Sequence, residues 1–163
     1  MTKKKILITT GGTGGHIFPA LSLAKNLIKK NYDIILTTDK RGLKYLSDIN
    51  EINLKKITSS PLVKKNIFRL IYSALLICYS TVKSLFLLSL NRPHIIIGMG
   101  GYSSFPVCIA ATILRIKFII YENNLIIGKA NKYLLHFAKK VFVSYKDLEG
   151  IKEKNIKKVI VVG

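Results

Sequence analysis

The chain has 163 residues, enough for one domain with a proper buried core and not obviously for two. Its 27 Lys and Arg stand against 8 Asp and Glu, a formal net charge of +19 that points to phosphate, nucleic acid or an anionic membrane surface. Mean hydropathy is nevertheless positive, at +0.31, and nucleic-acid binders are usually basic and polar, so a membrane surface ranks ahead of nucleic acid. A general richness in Lys, Ile and Asn looks like mutational bias, but that does not explain the shortage of acids. Cys78 and Cys108 lie far apart in apolar runs, so neither a disulfide framework nor a metal cluster is implied; both are expected to act as small core hydrophobes. The start MTKKK has the charge of a signal peptide, but the apolar run behind it breaks at glycines after five residues. That is too short for a leader, and a cytoplasmic chain is expected.

In chain order, Ile6 to Thr10 reads as a short apolar strand, followed by Gly11-Gly12-Thr13-Gly14-Gly15-His16 and a helix expected from Pro19 to Asn31. Proline suits a first helical turn, where its missing N–H costs nothing. Ile34 to Thr38 is a second strand ending at Asp39, Gly42 to Ser47 a short helix, and Asn53 to Ile57 a weak third strand. After a basic loop, Ile67 to Leu90 carries only Arg69 and Lys83 as charges, with Arg69, Ser73, Ser80 and Ser84 roughly on one helical stripe. Three situations fit this helix. As a membrane span it is short of apolar length, since the uncharged run is residues 70 to 82. As a crossover helix it packs one face on the sheet. As an interfacial helix it turns an apolar face to a membrane, flanked by Lys55, Lys56, Lys64, Lys65 and Arg69. The last two are compatible, because a crossover helix has two faces.

His94 to Gly98 is a fourth strand, and it repeats the opening arrangement: strand, then Met99-Gly100-Gly101-Tyr102-Ser103, then an apolar helix to about Leu114. Lys117 to Tyr121 is a fifth strand, leading through Glu122-Asn123-Asn124 to a helix that ends near Ala138. Val141 to Ser144 and Val159 to Val162 complete the strands, with a short basic helical stretch between them. Strand and helix alternate without a Pro/Gly/Ser linker. The pattern defines an α/β chain, a doubly wound Rossmann-like parallel sheet over residues 1 to 163.

With strands ordered 3-2-1-4-5, the first and fourth are neighbours at the topological switch point, and both glycine turns open on one crevice. Glycine lets the backbone come close to an anion and line it with N–H groups, helped by the partial positive charge of the following helix. Two such turns suit a diphosphate, each taking one end of its charge. Commoner nucleotide fingerprints fail in detail. A dinucleotide site would put its third glycine at Ile17, although Asp39 lies at a believable ribose distance; a P-loop needs Gly-Lys-Ser/Thr, and the only Gly-Lys is Gly128-Lys129 before Ala130. His16 is the one titratable group in the first turn. It is either structural or, kept neutral by the helix N-terminus, able to accept a proton from an attacking hydroxyl. His94 and His136 read as structural or solvated. Glu122 and Asn124 reach the same crevice after the fifth strand, either as ligand contacts or as ordinary turn caps.

Three motifs together, Gly11-Gly-Thr-Gly-Gly-His-Ile-Phe-Pro-Ala20, Gly98-Met-Gly-Gly-Tyr-Ser-Ser-Phe-Pro106 and Tyr121-Glu-Asn-Asn with Gly128-Lys-Ala-Asn131, resemble the N-terminal half of the MurG family of glycosyltransferases. The resemblance covers nearly the whole chain. It implies the N-terminal half of a GT-B fold, and an inverting, metal-independent and cofactor-free transfer of N-acetylglucosamine from UDP-N-acetylglucosamine to the C4 hydroxyl of lipid-linked muramyl-pentapeptide. The setting would be peptidoglycan and cell-wall synthesis, with its consequences for cell shape and division. His16 would be the base or acceptor contact, and Thr13, Gly14, Gly15 and Asn124 donor contacts, with Glu122 in support. Gly11, Gly12, Gly100, Gly101, Tyr102 and Ser103 would hold the acceptor diphosphate. The implied location is the cytoplasmic face of the bacterial plasma membrane, reached through an apolar patch with Lys64, Lys65, Arg69, Leu75 and Leu76.

Two departures stand out. The family usually has His-Glu-Gln-Asn where this chain has Tyr121-Glu122-Asn123-Asn124, and it continues past the position of Gly163 into a donor domain. The chain is accordingly expected to be a fragment of a longer enzyme, or a half-enzyme relying on a separate donor subunit. The alternative is a noncatalytic membrane-recruiting subunit that docks such a partner.

Overall fold

The computed structural model describes residues 3–46, 52–61 and 66–162. Seven strands, β1 (Lys5–Thr9), β2 (Asp33–Thr38), β3 (Asn53–Lys56), β4 (Ile95–Gly98), β5 (Phe118–Glu122), β6 (Lys140–Val143) and β7 (Val159–Val161), form one sheet in the order β3-β2-β1-β4-β5-β6-β7. All six pairings are parallel, with Thr9 beside Thr37 on one side and Gly98 on the other. This is the doubly wound Rossmann-like arrangement expected, with the switch point between β1 and β4.

Helices α1 (Gly14–Lys29), α2 (Lys40–Leu43), α3 (Ile67–Asn91), α4 (Ser104–Ile113), α5 (Lys129–Leu134) and α6 (Glu153–Ile156) connect the strands. The central strands bury both faces, which is why they read as unbroken apolar runs. Ile6, Ile8, Ile34 and Leu36 join Ile17, Ala20 and Ala24 of α1 in one cluster. Leu7, Ile35, Ile96 and Phe118 join Leu88 of α3 and Val107, Cys108 and Ala111 of α4 in the other. The alternation is the period-2 geometry of a strand sorting neighbours onto opposite faces.

Two helix starts and one cysteine differ from expectation. Helix α1 begins at Gly14, five residues before Pro19, so the proline lies inside the helix rather than at its start. The Thr13 carbonyl accepts from the amides of His16 and Ile17, and this starts the helix inside the glycine run. Helix α2 begins at Lys40, because the Asp39 carboxylate accepts from the amides of Arg41 and Gly42 and caps it there; Ser47 lies outside the described residues. Cys78 is exposed on α3, unlike Cys108, whose thiol burial pushes up to about 12.

Helix α3 inverts the usual amphipathic rule. Its buried residues are Ser73, Ser80, Ser84 and Leu88, while Phe68, Ile71, Tyr72, Leu75, Tyr79, Val82, Phe86 and Leu90 face outward. The main helical neighbour of α3 is α4, and small side chains on the buried face suit close packing. They also satisfy backbone: Ser80 donates to the Thr58 carbonyl and Ser84 to the Ser80 carbonyl at 2.7 Å. The helix is long and apolar enough to cross a membrane by length and composition, and only 17% of its apolar window is buried. Arg69 does not follow the serines inward, and Lys64 and Lys65 lie outside the described residues.

Candidate active site

The glycine turns after β1 and β4 are in direct contact. The Gly11 amide donates to the Gly100 carbonyl at 2.8 Å, and a Cβ on Gly11 would sit 2.7 Å from Gly101 Cα. No side chain fits in that seam. Gly100 and Gly101 also have φ of +84° and +80°, a conformation that L side chains rarely adopt. The expected facing of the two turns across open space is therefore corrected at Gly11, whose amide is spent inside the protein. Ser103 is likewise committed, its hydroxyl donating to the Thr10 carbonyl at 2.6 Å. Among the described residues nothing accepts from the amides of Gly12, Thr13, Gly14 and Gly15, or from those of Gly100, Gly101, Tyr102 and Ser103. These two runs of unpartnered N–H groups at adjoining strand ends are the chemistry of an anion site.

Gly12 is confined from the other side, since a Cβ there would sit 2.0 Å from Asp39 Oδ1 and 2.7 Å from Arg41 Cβ. Burial opposes the Asp39 charge, but hydrogen bonds from the Arg41 guanidinium and the Arg41 and Gly42 amides outweigh it and hold the carboxyl below its usual range. Asp39 thus serves as helix cap and arginine anchor. Arg41 places a largely exposed guanidinium beside the first glycine turn, its pKa raised above the usual value chiefly by the hydrogen bond to Asp39. Sequence pattern gave no sign of Arg41, because its proximity to Gly12 depends on the β1–β2 pairing.

His16 is partly buried, and its ring lies over Gly100: a Cβ there would be 3.0 Å from His16 Cε1 and 3.2 Å from Nδ1. Burial lowers its pKa below 6.5, with the Glu122 charge and a backbone contact to Met99 pulling the other way. The imidazole is neutral at pH 7, and Nδ1 is buried without a partner.

Glu122 is the hub of the third segment. Only 1% exposed, it accepts from the Asn124 amide at 3.2 Å and side chain at 2.6 Å, the Gly128 amide at 2.9 Å and Asn131 Nδ2 at 3.0 Å. With its Nδ2 engaged there, Asn124 keeps Oδ1 to accept from a ligand donor. Asn131 Nδ2 lies 3.5 Å from where a Gly100 Cβ would be, so the β5 loop closes on the same spot as His16. Tyr121 turns away: its hydroxyl pairs with Ser144 Oγ at 2.8 Å and its ring packs on the α1 side of the sheet.

A parallel sheet with two amide-lined glycine turns at its switch point, and a histidine between them, is the architecture of the Rossmann-like N-terminal half of a GT-B glycosyltransferase. Residues 6–143 match the glycosyltransferase family 28 N-terminal domain, and the chain belongs to that family. It is 38% identical over 159 residues to the UDP-N-acetylglucosamine--N-acetylmuramyl-(pentapeptide) pyrophosphoryl-undecaprenol N-acetylglucosamine transferase of Pelagibacter ubique, covering 96% of this chain and 44% of that protein. The same-named protein of Rickettsia felis is 36% identical, over 98% of this chain and 43% of the relative. The crystal structure of Acinetobacter baumannii MurG superposes with a TM-score of 0.81 at 26% identity, over 97% of this chain and 45% of that one. The chain spans less than half the length of these relatives.

Proposed function

We propose that this chain supplies the acceptor half of an inverting transfer of N-acetylglucosamine from UDP-N-acetylglucosamine to the C4 hydroxyl of lipid-linked muramyl-pentapeptide. The observation that carries this is the meeting of two runs of free amides, residues 12–15 and 100–103, at adjoining strand ends, with the His16 ring lying over Gly100. The acceptor diphosphate lies on Gly12, Gly100, Gly101, Tyr102 and Ser103 through backbone N–H groups, with Arg41 adding charge. The Gly11 role passes to shaping the seam. Thr13, Gly14, Gly15 and Asn124 face the donor. His16 accepts the C4 hydroxyl proton as the oxygen forms its bond to the anomeric carbon; the bond from that carbon to UDP breaks, and UDP leaves with the electron pair. Burial that keeps His16 uncharged supports the base role, because an imidazolium has no lone pair to receive the proton. A donor-binding domain, on the same chain or another, supplies the remaining nucleotide contacts.

The outward apolar face of α3, with Arg69 beside it and Lys55 and Lys56 exposed nearby in sequence, supports peripheral attachment to the cytoplasmic face of the plasma membrane. The transfer is tested by mixing this chain with a separately expressed donor domain of a relative and following sugar transfer to a lipid-linked acceptor. His16→Ala is expected to lower kcat by about 100-fold or more, as loss of a general base does. Undiminished transfer would remove His16 from the mechanism. For attachment, Leu75→Gln with Phe86→Ser should abolish co-sedimentation with anionic vesicles, and Arg69→Gln should weaken it in a salt-dependent way. Sedimentation unchanged in both the double variant and Arg69→Gln would refute it.

A further inference from the structure

The carbonyl of Gly15 would normally receive a helical hydrogen bond from the residue four positions on, and that residue is Pro19, which has no N–H. The bond comes instead from 108 positions away, where Nδ2 of Asn123 on the loop after β5 donates to the Gly15 carbonyl at 2.8 Å. An Asn in a turn commonly bonds its own loop, as Asn124 does through Glu122. Asn123 instead reaches across to the first turn of α1, one residue from His16.

We propose that Asn123 is a positioning residue: its side-chain amide replaces the hydrogen bond that Pro19 cannot give, and so fixes the His16-bearing turn of α1 against the loop after β5. Two strands set this geometry, since α1 follows β1 and Asn123 follows β5, with β4 between them in the sheet. The strut therefore bridges the β4 glycine turn, on which the His16 ring rests. It ties the first glycine turn and the Glu122 hub into one unit. The importance of the strut for catalysis rests on the base role given to His16; its existence does not.

The test is a double-mutant cycle between Asn123 and Pro19 in this chain, read by amide hydrogen exchange at His16 and Ile17, which both donate to the Thr13 carbonyl. Asn123→Ala should speed exchange at both amides by roughly three- to tenfold, the worth of one hydrogen bond. Asn123→Asp, equal in shape but without the N–H donors, should do the same. In a Pro19→Ala background, where the helix supplies its own N–H, the further effect of Asn123→Ala should shrink below about twofold. Equal acceleration in both backgrounds, or none in either, would overturn the strut. With a donor domain added, Asn123→Ala should lower kcat several-fold while the acceptor KM stays nearly constant. Accelerated exchange with unchanged kcat would refute the positioning role. Absence of transfer by the unsubstituted pair would count against the proposed function alone, because exchange reads the strut independently.

Discussion

The hydroxyl of Ser103 donates to the carbonyl of Thr10 at 2.6 Å, joining residues 93 positions apart at the ends of β1 and β4. Parallel strands have no hairpin to hold their ends together, so side chains such as this one close the switch point. Ser103→Ala should cost about 1–3 kcal/mol, because a buried carbonyl loses its donor. Urea unfolding midpoints measure it, and a cost near zero would mean that the strand ends are held by the backbone bonds Gly11–Gly100 and Met99–Thr9 without help from Ser103.

Glycines of the first turn should separate by position. Gly11→Ala drives a Cβ to 2.7 Å from Gly101 Cα and is expected to destabilise by about 1–3 kcal/mol. At Gly15 a Cβ meets nothing within 4 Å, and alanine in the first turn of α1 should stabilise by about 0.4–1 kcal/mol. Thermal unfolding of the two variants side by side decides it.

Glu122→Gln puts an amide nitrogen where the carboxylate now takes four N–H groups. One donor must then face another, at a cost of about 1.5–3 kcal/mol. The Glu122 charge also raises the His16 pKa, so removing it should move the His16 titration further below 6.5. A histidine Cε1 proton titration by NMR reads the shift; an upward movement would contradict the electrostatic account.

Stability should fall on mild acidification through His16. Its folded-state pKa lies below the 6.5 of the unfolded chain, burial being the largest cause. The unfolded state therefore takes up a proton first, and stability present above pH 6.5 is lost as the pH drops from there through the folded value. His16→Gln should flatten the slope of unfolding free energy against pH in that window. Asp39, whose carboxyl is held below 3.8, acts at lower pH and should not interfere.

On α3 the ordinary substitution rules should reverse. Ser84→Leu places bulk on the buried face and should cost about 1–3 kcal/mol, whereas Phe86→Ser on the outward face should change stability by less than about 0.5 kcal/mol. Chemical denaturation of both, with solubility recorded for Phe86→Ser, checks the assignment. A larger loss from Phe86→Ser would show that the outward face is covered.

The sequence by itself determined the alternation of strands and helices, the neighbouring of β1 and β4, and the two glycine turns. All of these follow from local periodicity, backbone freedom at glycine and the handedness of crossovers. It also marked His16, Glu122 and Asn124, residues adjoining strand ends that this topology must bring together. It had no means of showing that the serine stripe of α3 faces inward, since period alone gives a stripe and only the neighbouring α4 and Thr58 decide which side is buried. Nor could it show that Gly11 spends its amide on Gly100, that Arg41 stands over Gly12, or that Asn123 completes the helix Pro19 interrupts. Each of those facts is a contact between segments distant in the chain, set by strand register and side-chain reach, and no local preference encodes it.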